Sequence, residues 1–184
     1  MLMSALDDIA WTLNLRGTDV HCNPVFVSYL LISSSTTTLF VNKEKLPAEG
    51  SAYLQAEGIG VDDYENVGKG LKDYFEYKIL LDSDEVNYTL YQVVNLKPQT
   101  SNPRPQIIEA ESPVKRMKTV KNETEIAGFR RAMLKDGIAL VKFLKWLKPA
   151  VEAGGQTEIS IDQKLTSLRA EQPLYREISF DPIA

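Results

Sequence analysis

The chain has 184 residues, 43% hydrophobic and 25% charged, with a formal charge of −4. That is globular composition, not disordered or fibrous, and the acidic balance argues against non-specific nucleic-acid binding. One cysteine, Cys22, excludes a disulfide within the chain, and one histidine, His21, excludes any metal centre needing two imidazoles from it. The longest apolar run, Pro24 to Ile32, falls short of the ~20 residues of a membrane span. Met1 to Asp8 has no basic residue and does not read as a secretory signal. A reducing, cytoplasmic setting fits this cysteine usage. Charge is unevenly spread: residues 1–112 hold 8 basic and 16 acidic side chains, and residues 113–184 hold 13 and 9. Such asymmetry marks two domains or an interface between acidic and basic halves.

Ser4-Ala5-Leu6-Asp7 predicts a helix start, with Leu6, Ile9, Ala10 and Leu13 on one face and Gly17 as its stop. Val25 to Ser33 and Thr36 to Val41 are rich in β-branched and aromatic residues, and the serines between them predict a hairpin. Pro47 opens a helix over Ala48 to Glu57, ended by Gly58. A short strand follows at Ile59 to Val61. Asp62 then caps a helix with Val67, Leu71 and Tyr74 or Phe75 inward. Gly68 and Gly70 weaken that helix by ~1 kcal/mol each relative to alanine.

Lys78 to Asp82 reads as a strand. Ser83 or Asp84 caps a helix through Val94. Leu96 to Pro105 is a proline-rich loop, and Gln106 to Glu109 a strand. Ser112-Pro113 opens a short helix to about Thr119. Asn122 and Glu125 form a capping box for a long helix, with Pro149 disfavouring continuation past Lys148. Gly154-Gly155 is a joint. Thr157 caps a further helix carrying Ile161, Leu165 and Leu168, which Pro173 ends. Tyr175 to Phe180 begins a strand. Alternating strands and helices to about residue 111 predict an α/β sandwich. The two long helices after it open something else; their apolar faces should be poorly covered and are expected to pack onto the preceding domain or onto another copy of the chain.

Local chemistry names no reaction. Gly58-Ile59-Gly60 and Gly68-Lys69-Gly70 lack the rest of a phosphate loop. Asp82-Ser83-Asp84 lacks the glycine and closing glutamate of a calcium loop. His21-Cys22 invites a nucleophile reading, but neighbours in sequence usually point apart, and a loop or core role is favoured. Lys115, Arg116, Lys118 and Lys121 read as a solvated linker face, without the aromatic interleaving of a nucleic-acid patch. Arg16 is a carboxylate clamp or, preferably, a turn residue bound to Asp19 or to loop carbonyls. Asn87-Tyr88-Thr89 and Asn122-Glu123-Thr124 match glycosylation acceptors by chance.

The order of segments is more informative than any one of them. Ser4-Ala5-Leu6-Asp7-Asp8-Ile9-Ala10-Trp11-Thr12-Leu13-Asn14-Leu15-Arg16-Gly17-Thr18-Asp19-Val20, followed by Asn23-Pro24-Val25-Phe26, closely resembles the second domain of the Xaa-Pro aminopeptidases. So does Ser112-Pro113-Val114-Lys115 with Lys121-Asn122-Glu123-Thr124-Glu125-Ile126-Ala127-Gly128-Phe129-Arg130-Arg131-Ala132, which resembles the opening of that family's catalytic domain. The resemblance covers nearly the whole chain.

It implies an α/β fold, a creatinase N-terminal-like (ribonuclease-H-like) mixed sheet flanked by helices. Residues 1–111 would be the second domain. Residues 112–184 would be the first helices of an incomplete pita-bread domain. It implies a cytosolic parent enzyme that removes an N-terminal residue when proline is second, with a proline-containing peptide as substrate, a homodimer, and neither nucleic acid nor membrane as partner. The family holds two divalent ions, usually manganese, by two Asp, one His and two Glu beyond Ser179-Phe180-Asp181-Pro182-Ile183. No metal or catalytic residue therefore carries over, no cofactor is expected on this chain, and the chain itself should be inactive. Phe180 alone is placed near the substrate pocket by the resemblance, with core packing as its favoured role. Two alternatives stand beside this reading. One is a non-catalytic peptidase-like module that binds a peptide or protein partner. The other is a nucleotide-binding ribonuclease-H-like domain, disfavoured by the acidic balance.

Overall fold

The structure, a computed structural model, describes residues 1–96 and 105–181. They form two compact units. One comprises residues 1–20 and 24–119, and the other residues 21–23 together with the chain from Val120 onward.

The first unit is built on a four-stranded mixed sheet in the order β1-β2-β3-β4: Leu2–Met3, Ser28–Ile32, Thr37–Val41 and Ile59–Asp63. β1/β2 and β2/β3 are antiparallel, and β3/β4 is parallel. The expected hairpin is β2–β3, in register from Ser28↔Val41 to Ile32↔Thr37. Its turn closes on the Ser33 hydroxyl, which accepts from the N–H of Ser35 (3.2 Å) and Thr36 (2.9 Å). A second, parallel pair joins β5 (Lys78–Leu81) to β6 (Gln106–Glu109).

Side chains alternate across a strand, and here each face has its own core. Met3, Leu30, Leu39 and Val41 point one way. They pack against Ile9 and Leu13 of α1 (Leu6–Leu13), Leu54 of α2 (Ala48–Ala56) and Val114 of α5 (Pro113–Thr119). Leu2, Leu31 and Phe40 point the other way. They meet Val67, Leu71 and Tyr74 of and just after α3 (Val67–Asp73), Ile79 and Leu81 of β5, and Leu90 and Val94 of α4 (Tyr88–Asn95). Burying a leucine fully contributes about 1.5–3 kcal/mol, so slipping a strand by one residue would exchange the two cores. The register is fixed by this.

Several local expectations are corrected. α1 is capped by Ala5 without a side-chain bond, and it ends at Asn14 in the left-handed region (φ 50°) rather than at Gly17. Gly17 answers to packing: a Cβ there would lie 2.6 Å from that of Phe26. Asp62 belongs to β4, and a 3₁₀ turn (Tyr64–Asn66) precedes α3. Phe75 is exposed, leaving Tyr74 as the inward ring. Gly70 suits α3 because the Phe40 ring occupies its side-chain space. α4 starts at Asn87, whose side chain accepts from the Leu90 N–H, and not at Ser83 or Asp84. The expected proline-rich loop falls on residues 97–104, outside the described residues.

The second unit is a helical pair. α6 (Glu123–Ala153) carries the expected Asn122/Glu125 capping box, and α7 (Glu158–Ala170) carries one between Thr157 and Ser160. α6 runs through Pro149 to Gly154, against expectation. Proline's fixed φ is itself helical, so the helix loses a bond there but keeps its course. Gly154 and Gly155, both at φ 78°, then turn the chain back. The two helices bury Ala139, Phe143 and Leu168, with Trp146, Leu147, Ile161 and Leu165 around them. Tyr175 to Phe180 forms no strand, because no partner strand flanks it among the described residues.

Candidate functional site

Within the helical unit, α6, α7 and the chain after Pro173 enclose a groove of about 650 Å³. Three ties join the elements of this unit, two of them at the groove itself. Arg169 Nε donates to Asp136 Oδ1 at 2.7 Å, Lys142 Nζ to Glu171 Oε2 at 2.6 Å, and Lys135 Nζ to the Pro173 carbonyl at 2.7 Å. Met133, Leu165, Leu174, Ile178 and Phe180 line it. The Phe180 side chain is open to solvent, with the residue 72% exposed, so it is not a core residue of this unit. Much of the outer apolar stripe of α6 is also exposed: Phe129, Met133, Leu140, Val141 and Leu144. The poor coverage expected of these helices is what the structure has.

At one edge of the same unit, three ligand-bearing groups meet. His21 Nε2 lies 3.1 Å from Asp181 Oδ1. Cys22 follows in the left-handed region, φ 62°. One ligand atom from each of His21, Cys22 and Asp181 falls within 4.8 Å of the others. Desolvation, then the carboxylates of Asp181 and Glu177, push the Cys22 thiol up in pKa. The thiol is therefore not primed as a nucleophile, since its reactive thiolate is disfavoured. Nothing in the sequence pattern joins Asp181 to His21 across 160 residues, so sequence reasoning missed this pairing.

Arg16, Asp19, Asp82, Lys115 and Lys118 serve the architecture of the first unit. Arg16 Nη1 donates to the carbonyls of Ala10 and Leu15. Asp19 pairs with Lys45 (2.8 Å) and accepts from the Val27 N–H, so Arg16 and Asp19 do not pair with each other. Asp82 is nearly buried. Its Oδ1 accepts from the Asp84 N–H, and its Oδ2 from the Ser112 N–H and Lys115 Nζ. Its oxygens are thus committed to fastening the start of α5. Lys115 also meets Glu85, and Lys118 meets Asp7 and Asp8, so two members of the basic run are ion-paired rather than solvated.

A mixed sheet with helices on both faces, followed in the chain by a capped helical pair, defines an α/β domain with a helical extension. The model of the creatinase/prolidase N-terminal domain matches residues 1–125, and the chain belongs to that family. Curated relatives include Xaa-Pro aminopeptidase 1 of Dictyostelium discoideum, 35% identical over the whole of this chain and 29% of its own length. Xaa-Pro aminopeptidase ApepP of Drosophila melanogaster is 32% identical over the whole chain and 30% of its own. The chain thus spans under a third of the length of these relatives. Among solved structures, the X-prolyl aminopeptidase of Caenorhabditis elegans, described as a cytosolic enzyme with a di-nuclear active site, superposes with TM-score 0.87. It is 29% identical over 98% of this chain and 29% of that one. An Xaa-Pro dipeptidase from Bacillus anthracis (TM-score 0.64, 18% identity, 92% of this chain and 43% of that one) shares the fold.

The described residues do not fit a dinuclear carboxylate centre. Two bridged ions need several converging carboxylates. The one group of three or more converging His, Cys, Asp or Glu side chains among the described residues offers a single carboxylate, an imidazole and a thiol.

Proposed function

We propose that this chain is the non-catalytic part of an Xaa-Pro aminopeptidase: the second creatinase-like domain over residues 1–111 and the opening of the pita-bread catalytic domain over 112–184. The whole protein would be a cytoplasmic, homodimeric metallopeptidase. It would release the N-terminal residue from peptides with proline second, using two divalent ions of the manganese class. The carrying observation is the match to Xaa-Pro aminopeptidases along the entire chain, combined with its covering only 29% of such a protein.

Two divalent ions, held outside this chain, would supply an activated water and a Lewis acid in chemistry of this class. This chain takes no catalytic step in that account, because its donor groups do not fit such a centre. Its contribution is architectural and, through Phe180, a surface for substrate. An exposed aromatic ring offers the apolar face that a proline ring packs against, and Phe180 lines an open groove.

The test is direct. The purified chain, given manganese and an Xaa-Pro peptide, is expected to release no amino acid. Chelator-sensitive turnover would contradict the reading. Saturable, metal-independent peptide binding by the chain alone would instead favour a peptide-binding module.

A further inference from the structure

We propose that His21, Cys22 and Asp181 form a three-ligand site for a zinc-class divalent cation. The first argument is donor chemistry. Imidazole nitrogen, thiolate sulfur and carboxylate oxygen are the three protein ligand types of zinc, and a thiolate selects against hard ions such as magnesium or calcium.

The second argument is spacing. With metal–nitrogen and metal–oxygen bonds of about 2.0–2.1 Å, a tetrahedral site sets its nitrogen and oxygen ligands roughly 3.3 Å apart. His21 Nε2 and Asp181 Oδ1 already stand 3.1 Å apart. The Cys22 sulfur completes a set within 4.8 Å, so small rotamer adjustments bring it to a shared ion.

The third argument is backbone direction. Successive residues in extended chain point to opposite sides, which normally separates adjacent His and Cys. The left-handed conformation of Cys22 breaks that alternation, so both side chains reach one point. Asp181 arrives from the far end of the same unit, beyond α7. A bound cation would therefore cross-link residues 21–22 to the segment that carries Phe180. Cys22 loses its proton to solvent as the metal–sulfur bond forms.

The experiment titrates the purified chain with cobalt(II), then with zinc(II) in competition, reading absorbance and heat. One equivalent of cobalt is expected to give a sulfur-to-metal charge-transfer band in the near ultraviolet and tetrahedral visible bands, both displaced by zinc. Cys22→Ser should abolish the charge-transfer band. His21→Ala and Asp181→Asn should each weaken zinc binding by at least the ~10–100-fold that loss of even a supporting partner costs. All three residues lie outside the hydrophobic cores, and circular dichroism of each variant checks that the fold is kept. No charge-transfer band with the wild-type chain would overturn the proposal. Equal zinc affinity in wild type and in the His21 and Asp181 variants would overturn it too, leaving only adventitious thiol binding.

Discussion

Lys118 Nζ stands 2.6 Å from Oδ1 of Asp8, a residue with no exposed surface on the inward side of α1. The contact is an ion pair by distance. Neither Asp8 oxygen is met in hydrogen-bond geometry among the described residues, so the ammonium is what compensates this buried charge. Burial lowers the Lys118 pKa, but its contacts with Asp7 and Asp8 outweigh that and the net direction is upward. The pair joins the first helix to the last helix of the first unit. Removing one partner leaves a buried charge alone, which costs about 3–5 kcal/mol. Lys118→Met is therefore expected to lower the urea midpoint by that much stability. The Asp8→Ala/Lys118→Met double variant should recover part of it. A loss below ~1 kcal/mol, the range of a surface pair, would show that Asp8 is not held by Lys118.

Asp82 makes stability pH-dependent in a defined direction. Burial alone would raise its pKa. The hydrogen bonds from Lys115 and from the Ser112 and Asp84 amides outweigh this and hold it below the ordinary carboxylate value. A carboxyl depressed in the folded state stabilises above its unfolded pKa, and that contribution is lost as pH falls through the folded value. The stability advantage of wild type over Asp82→Asn is thus expected to be full at neutral pH and to shrink below about pH 4. Denaturant melts of both proteins across that range check it. A difference that stays constant with pH would contradict the assignment.

Gly70 tests the packing of α3. A methyl there would lie 2.5 Å from the Phe40 ring. Alanine would gain ~1 kcal/mol of helix propensity, but overpacking costs ~1–3 kcal/mol. Gly70→Ala is expected to be net destabilising, and Phe40→Leu in the same chain should relieve the added penalty. A stabilised Gly70→Ala protein would mean the ring yields freely.

The elements most legible in the sequence were those fixed by local chemistry. The β2–β3 hairpin follows from its serine turn and β-branched flanks. The start of α6 follows from Asn122 and Glu125, which exchange bonds within four residues. Less legible were features that depend on a distant partner. Gly17 looked like a helix stop but yields room to Phe26. Gly70 looked like a helix weakness but seats Phe40. Pro149 looked like a terminator, yet only Gly154 reverses the chain. The segment 175–180 has strand composition and, among the described residues, no strand to pair with. The groups the structure brings together, His21 with Asp181 and Asp8 with Lys118, are more than a hundred residues apart, and no periodicity links them. Phe180 came from family likeness, and its exposure in the groove from the structure.

The central claim is that this chain is one part of a larger Xaa-Pro aminopeptidase. An antibody raised against it tests that most directly, by immunoprecipitation from the source cells followed by sizing and assay of the captured protein. The expected result is a polypeptide several times heavier than 20.7 kDa that cleaves an Xaa-Pro peptide and loses that activity to a chelator. A band at the chain's own size, with no metal-dependent cleavage of an Xaa-Pro peptide, would contradict the account.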